Sequence, residues 1–113
     1  MSRKTVSNTI EDPTIPFVTL ALKGAVYRLC YSFNALAKAE AATGLNMFQG
    51  LNLQALNMTQ LRAMLWASLL KAQPDMTLED AGDLIESPTH CNQVLTAIAE
   101  AWSASMPKPD PNV

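Results

Sequence analysis

Residues 61–72 read LRAMLWASLLKA, and the rest of the chain is organised around this stretch. Folded as an α-helix it has one broad apolar face, which Met58 extends backwards. That face consists of Leu61, Leu65, Trp66, Leu69, Leu70 and Ala72. Within residues 61–72 only Arg62 and Lys71 are charged. Such a helix needs apolar neighbours over most of its surface. We therefore predict that it is the central core helix of a small domain.

A β-hairpin is predicted upstream, because residues 17–22 and 25–31 both alternate in the manner of β-strands. A two-residue loop at Lys23 and Gly24 brings apolar residues of both strands onto one face. It pairs Leu22 with Ala25, Leu20 with Tyr27, and Val18 with Leu29. The opposite, outer face carries Phe17, Thr19 and Val26. Lys is not a preferred first residue of a tight two-residue turn, so a bulged turn is expected.

The first helix is predicted over Phe33–Thr43, with Ser32 as its N-cap and Gly44 as its stop. Its inward face is expected to carry Phe33, Leu36, Ala37 and Glu40. A carboxylate on the apolar side of a helix has two interpretations, a catalytic acid or one half of an ion pair. We favour an ion pair with Arg28 or Arg62 at the edge of the core, because no second catalytic group lies at a suggestive spacing.

Residues 46–57 form an uncharged segment whose apolar residues follow no sustained period, which predicts one or two short helical turns. Asn57 and Gln60 then form a capping box at the start of the central helix. Thr77 caps a short helix through residue 86 in the same way. A last helix begins at Ser87 and Pro88. Its apolar face is formed by Cys91, Val94, Leu95, Ile98 and Trp102.

The order of elements, a hairpin followed by four to five helices, predicts a small and mostly helical α+β domain over residues 15–106. Residues 1–14 are polar and show no period, so they are predicted to form a flexible arm. Residues 107–113 contain three of the seven prolines and are predicted to form a flexible, extended tail. The sequence has no internal repeat and no low-complexity tract.

Charge and composition argue against several functions. The chain has 113 residues, a net charge of −2 and a pI of about 5.2, whereas a nucleic-acid binder usually has a basic face. A helix-turn-helix reader is disfavoured too, because the would-be recognition helix has no Lys or Arg. The N-terminus lacks the apolar core of a signal peptide, and no apolar run is long enough to span a membrane. A cytoplasmic protein is therefore expected.

The sequence offers no recognisable catalytic or metal-binding motif. His90 is the only histidine, and neither Cys30 nor Cys91 belongs to a Cys-x-x-Cys pair, so a metal site is not expected. In a reducing compartment both cysteines are expected to be free, buried thiols, although their number alone permits one disulfide. No phosphate-binding glycine loop is present. We therefore expect no enzymatic activity and no cofactor, and a protein that acts by binding.

Four segments carry a resemblance to a known family. They read FVTLALKGAVYRL from Phe17, FNALAKAE from Phe33, LRAMLWASLL from Leu61 and MTLEDAGDLI from Met76. In pattern and order, over residues 16–102, they resemble the tail assembly chaperones of long-tailed bacteriophages and gene transfer agents. Such proteins coat the tape measure protein and recruit tail tube subunits. Many are also made in a longer form through a ribosomal frameshift.

The resemblance implies a non-enzymatic assembly factor in the host cytoplasm. Its expected partners are the tape measure protein, the major tail tube protein and, where it self-associates, a homo-oligomer; neither nucleic acid nor a membrane is expected. A structural virion protein, such as a tail completion or head–tail connector subunit, is the alternative. A small DNA-binding regulator is a third function, disfavoured by the charge.

The family has no fixed binding motif, so the partner-binding residues are inferred from the sequence itself. A chaperone for a long helical partner needs apolar surface that it can offer on binding. Met47, Phe48 and Leu51 lie in the uncharged segment, and methionine adapts its shape to varied partners. We predict that these three residues contact the partner. The alternative is that the segment caps the core.

Overall fold

The computed structural model describes residues 16–85 and 87–105, so the predicted arm and tail lie outside the described residues. Within this part of the chain, the predicted α+β class is confirmed: an antiparallel hairpin is followed by four α-helices. The elements are β1 (Val18–Leu22), β2 (Ala25–Leu29), α1 (Phe33–Thr43), α2 (Met58–Leu69), α3 (Leu78–Ile85) and α4 (Cys91–Ser105). Short 3₁₀ turns lie at Met47–Gln49, Leu53–Ala55 and Pro88–His90.

The hairpin has the predicted register, with Leu20 opposite Tyr27 and a two-residue loop between the strands. The prediction of a bulged turn is wrong. Lys23 and Gly24 have φ angles of 54° and 78°, and a regular tight hairpin turn needs positive φ at both central positions. Glycine adopts that conformation readily, whereas lysine does so at a cost. The Lys23 ammonium donates a hydrogen bond to the Asp83 carbonyl oxygen at 3.0 Å, which ties the turn to α3.

The core is centred on α2, as the sequence predicts. α2 contacts α1, α3, α4 and β2, and the inner face of the hairpin is covered by α2 and α4. Its buried residues are Leu61, Ala63, Met64, Leu65, Ala67, Ser68 and Leu69. Two hydrogen bonds join the end of β2 to α2. The Tyr31 hydroxyl donates to the Met64 carbonyl at 2.7 Å, and the Cys30 N–H donates to the Ser68 carbonyl at 2.8 Å.

Side-chain caps begin the helices at the predicted residues. The Ser32 hydroxyl accepts a hydrogen bond from the Ala35 N–H at the start of α1. Asn57 and Gln60 form the predicted capping box of α2. Gly44 follows α1 with a φ angle of 77°, the left-handed conformation in which glycine ends a helix without strain. The caps depend only on residues close in sequence, which is why their positions are predictable.

The inward face of α1 matches the prediction only in part, because Leu36 packs against the core as predicted but other residues do not. Ala35 and Ala39 are the buried residues, whereas Ala37 is exposed and Phe33 is 79% exposed. Two alanines four residues apart allow α1 to lie close against α2, and a phenylalanine at their position would hold the two helices apart. Met58 likewise lies in solvent instead of extending the core face, with 70% of its surface exposed.

The two tryptophans lie at the margin of the core and are only partly buried. The Trp66 indole N–H donates to the Met76 carbonyl oxygen at 2.8 Å, in the connection between α2 and α3. Because an indole N–H needs a polar partner when it leaves water, this bond holds the ring near the surface. Trp102 packs edge-on against Tyr31, with ring centroids 6.2 Å apart.

Candidate protein-binding surface

The connection between α1 and α2 contains the three residues predicted to contact a partner, and the structure places them differently. Met47 is only 7% exposed, Phe48 is 94% exposed, and Leu51 is partly buried against the core. Residues in a 3₁₀ turn are about 120° apart, so a turn that directs Met47 inward directs Phe48 outward. Met47 is therefore a core residue, and the outward apolar surface at this turn comes from Phe48.

Hydrogen bonds fix the backbone that carries Phe48. Its own N–H donates to the Asn46 side-chain oxygen at 2.9 Å. The Met47 N–H donates to the Glu40 carboxylate at 2.8 Å, and the Gly50 N–H donates to the Met47 carbonyl at 3.3 Å. With Met47 buried below the turn, the aromatic ring is presented on an anchored segment. Such an anchor loses less conformational entropy on binding than a mobile loop does.

Glu40 anchors this turn and does not form the predicted ion pair. Within the described residues its carboxylate bonds to the Met47 N–H, seven residues along the chain. Arg28 instead lies over the Phe17 ring, with its Cζ atom 4.0 Å from the ring centroid. Arg62 has a buried Nε atom with no hydrogen-bond partner in the described part of the chain. Glu40 therefore stabilises the loop that follows α1 by accepting this hydrogen bond.

An uncharged groove lies beside the Phe48 turn. The second 3₁₀ turn, Leu53–Ala55, is capped by the Asn52 side chain, which accepts from the Gln54 N–H at 3.1 Å. Between the two turns is a groove of about 300 Å³. It is lined in part by Leu45, Gln49, Gly50, Leu51, Ala55 and Leu56. Four of its nine lining residues carry side-chain amides and none is charged, so the groove together with Phe48 suits an uncharged partner surface.

A second groove, also of about 300 Å³, lies between α2, α3 and the start of α4. Arg62 and Gly82 both line it. This groove is not among the sites predicted from the sequence, although the position of Gly82 inside the short helix α3 could have indicated it. Glycine there destabilises a helix by about 0.5–1 kcal/mol relative to alanine and often marks a close approach by another group.

The side chains of Cys30, Tyr31, His90 and Cys91 are all at least partly buried. Cys30 is buried, Cys91 is partly buried, and no disulfide joins them. The His90 Nδ1 atom lies 2.8 Å from the Ile85 carbonyl oxygen. Burial raises the pKa of Tyr31 well above its usual value of about 10, so this side chain stays neutral. Among residues 16–85 and 87–105, no three His, Cys, Asp or Glu side chains converge as metal ligands.

Two further exposed apolar residues, Phe33 and Met58, were not predicted as surface. The outer face of the hairpin was predicted, and it exposes 67% of Val26.

In the part of the chain that the structure describes, none of the helices has both the length and the apolar character needed to cross a membrane. Comparison with protein-family models, curated proteins and solved structures gives no match to this chain.

Proposed function

We propose that this protein is a tail assembly chaperone of a long-tailed bacteriophage or gene transfer agent. It acts in the host cytoplasm without catalysis, and it binds the tape measure protein and tail tube subunits during tail growth. The resemblance of the four sequence segments supports the choice of family and partners. The exposed Phe48 supports a binding function, and it is the single observation on which the proposed contact surface depends.

Phe48 has the properties of an interface anchor. Its side chain is 94% exposed, and the backbone that carries it is held by the Asn46 cap and by the Glu40 carboxylate. Burying a phenylalanine side chain on binding is worth about 1.5–3 kcal/mol. Aromatic residues that fill a partner's pocket often dominate the energy of an interface. An apolar face of a helical partner would cover Phe48 and the uncharged groove beside it together.

The test is co-purification of the chain with the tape measure protein encoded in the same genome. Phe48→Ala is compared with Phe33→Ala, because both remove an exposed phenylalanine from different elements. We expect Phe48→Ala to weaken the complex at least about 10-fold, equivalent to about 1.4 kcal/mol, and Phe33→Ala to leave it unchanged. Equal effects of the two changes would contradict the assignment of Phe48, and the absence of any complex would contradict the proposed partner.

A second experiment separates an assembly factor from a structural virion protein. Mature particles are purified and their proteins are identified by mass spectrometry. A chaperone is expected in lysates that contain growing tails and at most in trace amounts in finished particles. A fixed stoichiometric amount in finished particles would instead identify a tail completion or connector subunit.

A further inference from the structure

The outer edge of β2 carries backbone groups that its hairpin partner does not use. In the described part of the chain the sheet has only two strands, so each strand has one edge without a neighbouring strand. Every second pair of an antiparallel hairpin directs its N–H and C=O groups away from the partner strand. Leu22 and Ala25 flank the two-residue loop and form a hydrogen-bonded pair, so Val26 and Arg28 direct their backbone groups outward.

Two hydrogen bonds agree with this assignment of the outward groups. The Gln93 side-chain amide donates to the Ala21 carbonyl oxygen at 2.6 Å, so α4 occupies part of the outer edge of β1. The Cys30 N–H donates to the Ser68 carbonyl oxygen at 2.8 Å, just beyond the end of β2. Between Cys30 and the turn, the outward groups of Val26 and Arg28 form no such bond with the other described residues. An edge of this kind can pair with an added strand.

A groove of about 440 Å³ lies between β2, α3 and the connection that precedes α3. Its described lining residues are Tyr27, Met76, Leu84, Gln73, Asp75, Asp80 and Asp83, which include three carboxylates and no Lys or Arg. Tyr27 belongs to the inner face of the hairpin, because it packs against the core. The groove therefore lies on the inner side of the sheet, where inward side chains of an added strand would point.

We propose that the outer edge of β2 binds an extended, basic segment of a partner protein as a third, antiparallel strand. Val26 and Arg28 offer two N–H donors and two C=O acceptors to this segment. Every second side chain of the segment enters the groove, since successive side chains of a strand point to opposite faces. Lys or Arg fits there, because its stem packs on Tyr27 and Leu84 while its cation meets the carboxylates.

A second copy of this chain fits the same edge poorly. If β2 paired with β2 of another copy, Tyr27 and not a cation would enter the groove. The pairing would also bring the acidic groove of one copy against that of the other, and like charges that meet in an interface destabilise it. Charge complementarity therefore selects a basic segment of another protein. This site is separate from the Phe48 turn and does not depend on the identity of the partner proposed above.

The first test measures the charge preference. Three synthetic peptides alternate Val with Lys, Gln or Glu, and their affinities for the full-length chain are measured by NMR titration. We expect the Lys peptide to bind at least about 10-fold more tightly than the Gln peptide, and the Glu peptide to bind most weakly. The preference should weaken as salt is raised, since charge attraction is screened.

Variants of the groove connect this preference to its carboxylates. Asp75 and Asp83 are exposed, so a chain with both Asp75→Asn and Asp83→Asn should fold normally. It should prefer the Lys peptide over the Gln peptide by less than about 3-fold. Glu100→Gln is the control, because it removes an exposed carboxylate from α4, outside the groove, and should keep the full preference.

The second test asks whether the peptide binds as a strand. In an antiparallel pair, opposite residues point to the same face, so the Val residues of the peptide lie opposite Val26 and Arg28 and exchange hydrogen bonds with them. N-methylation of these Val residues should abolish binding, whereas N-methylation of the Lys residues should leave it nearly unchanged. In the complex, the Val26 and Arg28 amide protons should exchange with solvent at least about 10-fold more slowly than in the free chain.

Proline variants test the same edge from the side of the protein. Val26→Pro removes an outward N–H without removing a hydrogen bond of the hairpin, and proline is tolerated at such edge positions. It should abolish binding of the Lys peptide. Thr19→Pro is the matched control, because the Thr19 N–H points outward from β1, at the opposite edge, and this variant should bind normally.

Equal affinities for the Lys and Gln peptides would overturn the proposal, as would failure of the Lys peptide to bind. Normal binding of the peptide methylated at its Val residues would overturn the strand pairing. A dimer of the free chain that Val26→Pro dissociates would assign the edge to a second copy and overturn the assignment to a basic partner segment. Slow exchange of the Val26 and Arg28 amides in the free chain, made fast by deletion of residues 2–14, would likewise overturn it.

Discussion

The placement of Met47 and Phe48 leads to opposite predictions for two adjacent residues. Met47 is 7% exposed and packs into the core, so Met47→Ala removes buried atoms and leaves a cavity. Methionine-to-alanine changes in cores cost about 2–5 kcal/mol, and we expect the lower half of that range because Met47 lies at the margin of the core. Phe48 is 94% exposed, so Phe48→Ala should change stability by no more than about 0.5 kcal/mol.

These free energies correspond to distinct melting temperatures. In a domain of this size, a loss of about 1 kcal/mol lowers the Tm by about 4–8 °C. Met47→Ala should therefore lower the Tm by about 10–20 °C, and Phe48→Ala by less than about 4 °C. Leu51→Ser should fall between them, because Leu51 is partly buried. Thermal unfolding followed by circular dichroism measures the Tm, and urea unfolding measures the free energy of unfolding.

Partner binding should show the reverse order. Below its melting temperature, Met47→Ala should bind the tape measure protein nearly as well as the wild-type chain, whereas Phe48→Ala should bind weakly. A greater loss of stability from Phe48→Ala than from Met47→Ala would refute the assignment of Met47 to the core and Phe48 to the surface. Normal stability together with normal binding of Phe48→Ala would show that the partner contacts another surface, and the outer face of the hairpin around Val26 would then be examined first.

Three further predictions concern the core and its margins. Burial raises the pKa of Tyr31, so the unfolded chain loses the phenol proton first, and the free energy of unfolding should fall above pH about 10 by up to about 1.4 kcal/mol per pH unit. Tyr31→Phe should flatten that fall in a series of urea titrations, and an unchanged slope would show that another group is responsible. Trp66→Phe removes the hydrogen bond to the Met76 carbonyl and should cost about 1 kcal/mol, whereas Trp66→Ala should cost about 3 kcal/mol. Equal losses for the two Trp66 variants would mean that the ring contributes little packing. Glu40→Ala should destabilise the chain by about 1–3 kcal/mol and should accelerate amide exchange at the adjoining 3₁₀ turn. Glu40→Gln retains an acceptor oxygen and should lose less, and a larger loss for Gln than for Ala would contradict the anchoring role.

The elements that the sequence predicts correctly are those specified by neighbouring residues. Strand alternation and the position of Lys23 and Gly24 determine the hairpin register, because a shift of one residue would turn every apolar side chain to the other face. The capping box of Asn57 and Gln60 sets the start of α2 in the same local way. The apolar character of residues 61–69 predicts the buried helix that is found, whereas Ala72, predicted on the same face, is exposed beyond the end of α2.

Only the tertiary structure decides which side of a less distinctive segment is buried. The buried face of α1 depends on how closely Ala35 and Ala39 can approach α2. The sequence of α1 alone does not specify that distance. Met47 and Phe48 are adjacent and both apolar, and the contact between Glu40 and the backbone determines which of them points inward. Composition and spacing are properties of the chain alone, whereas burial depends on the neighbours that folding brings to each residue.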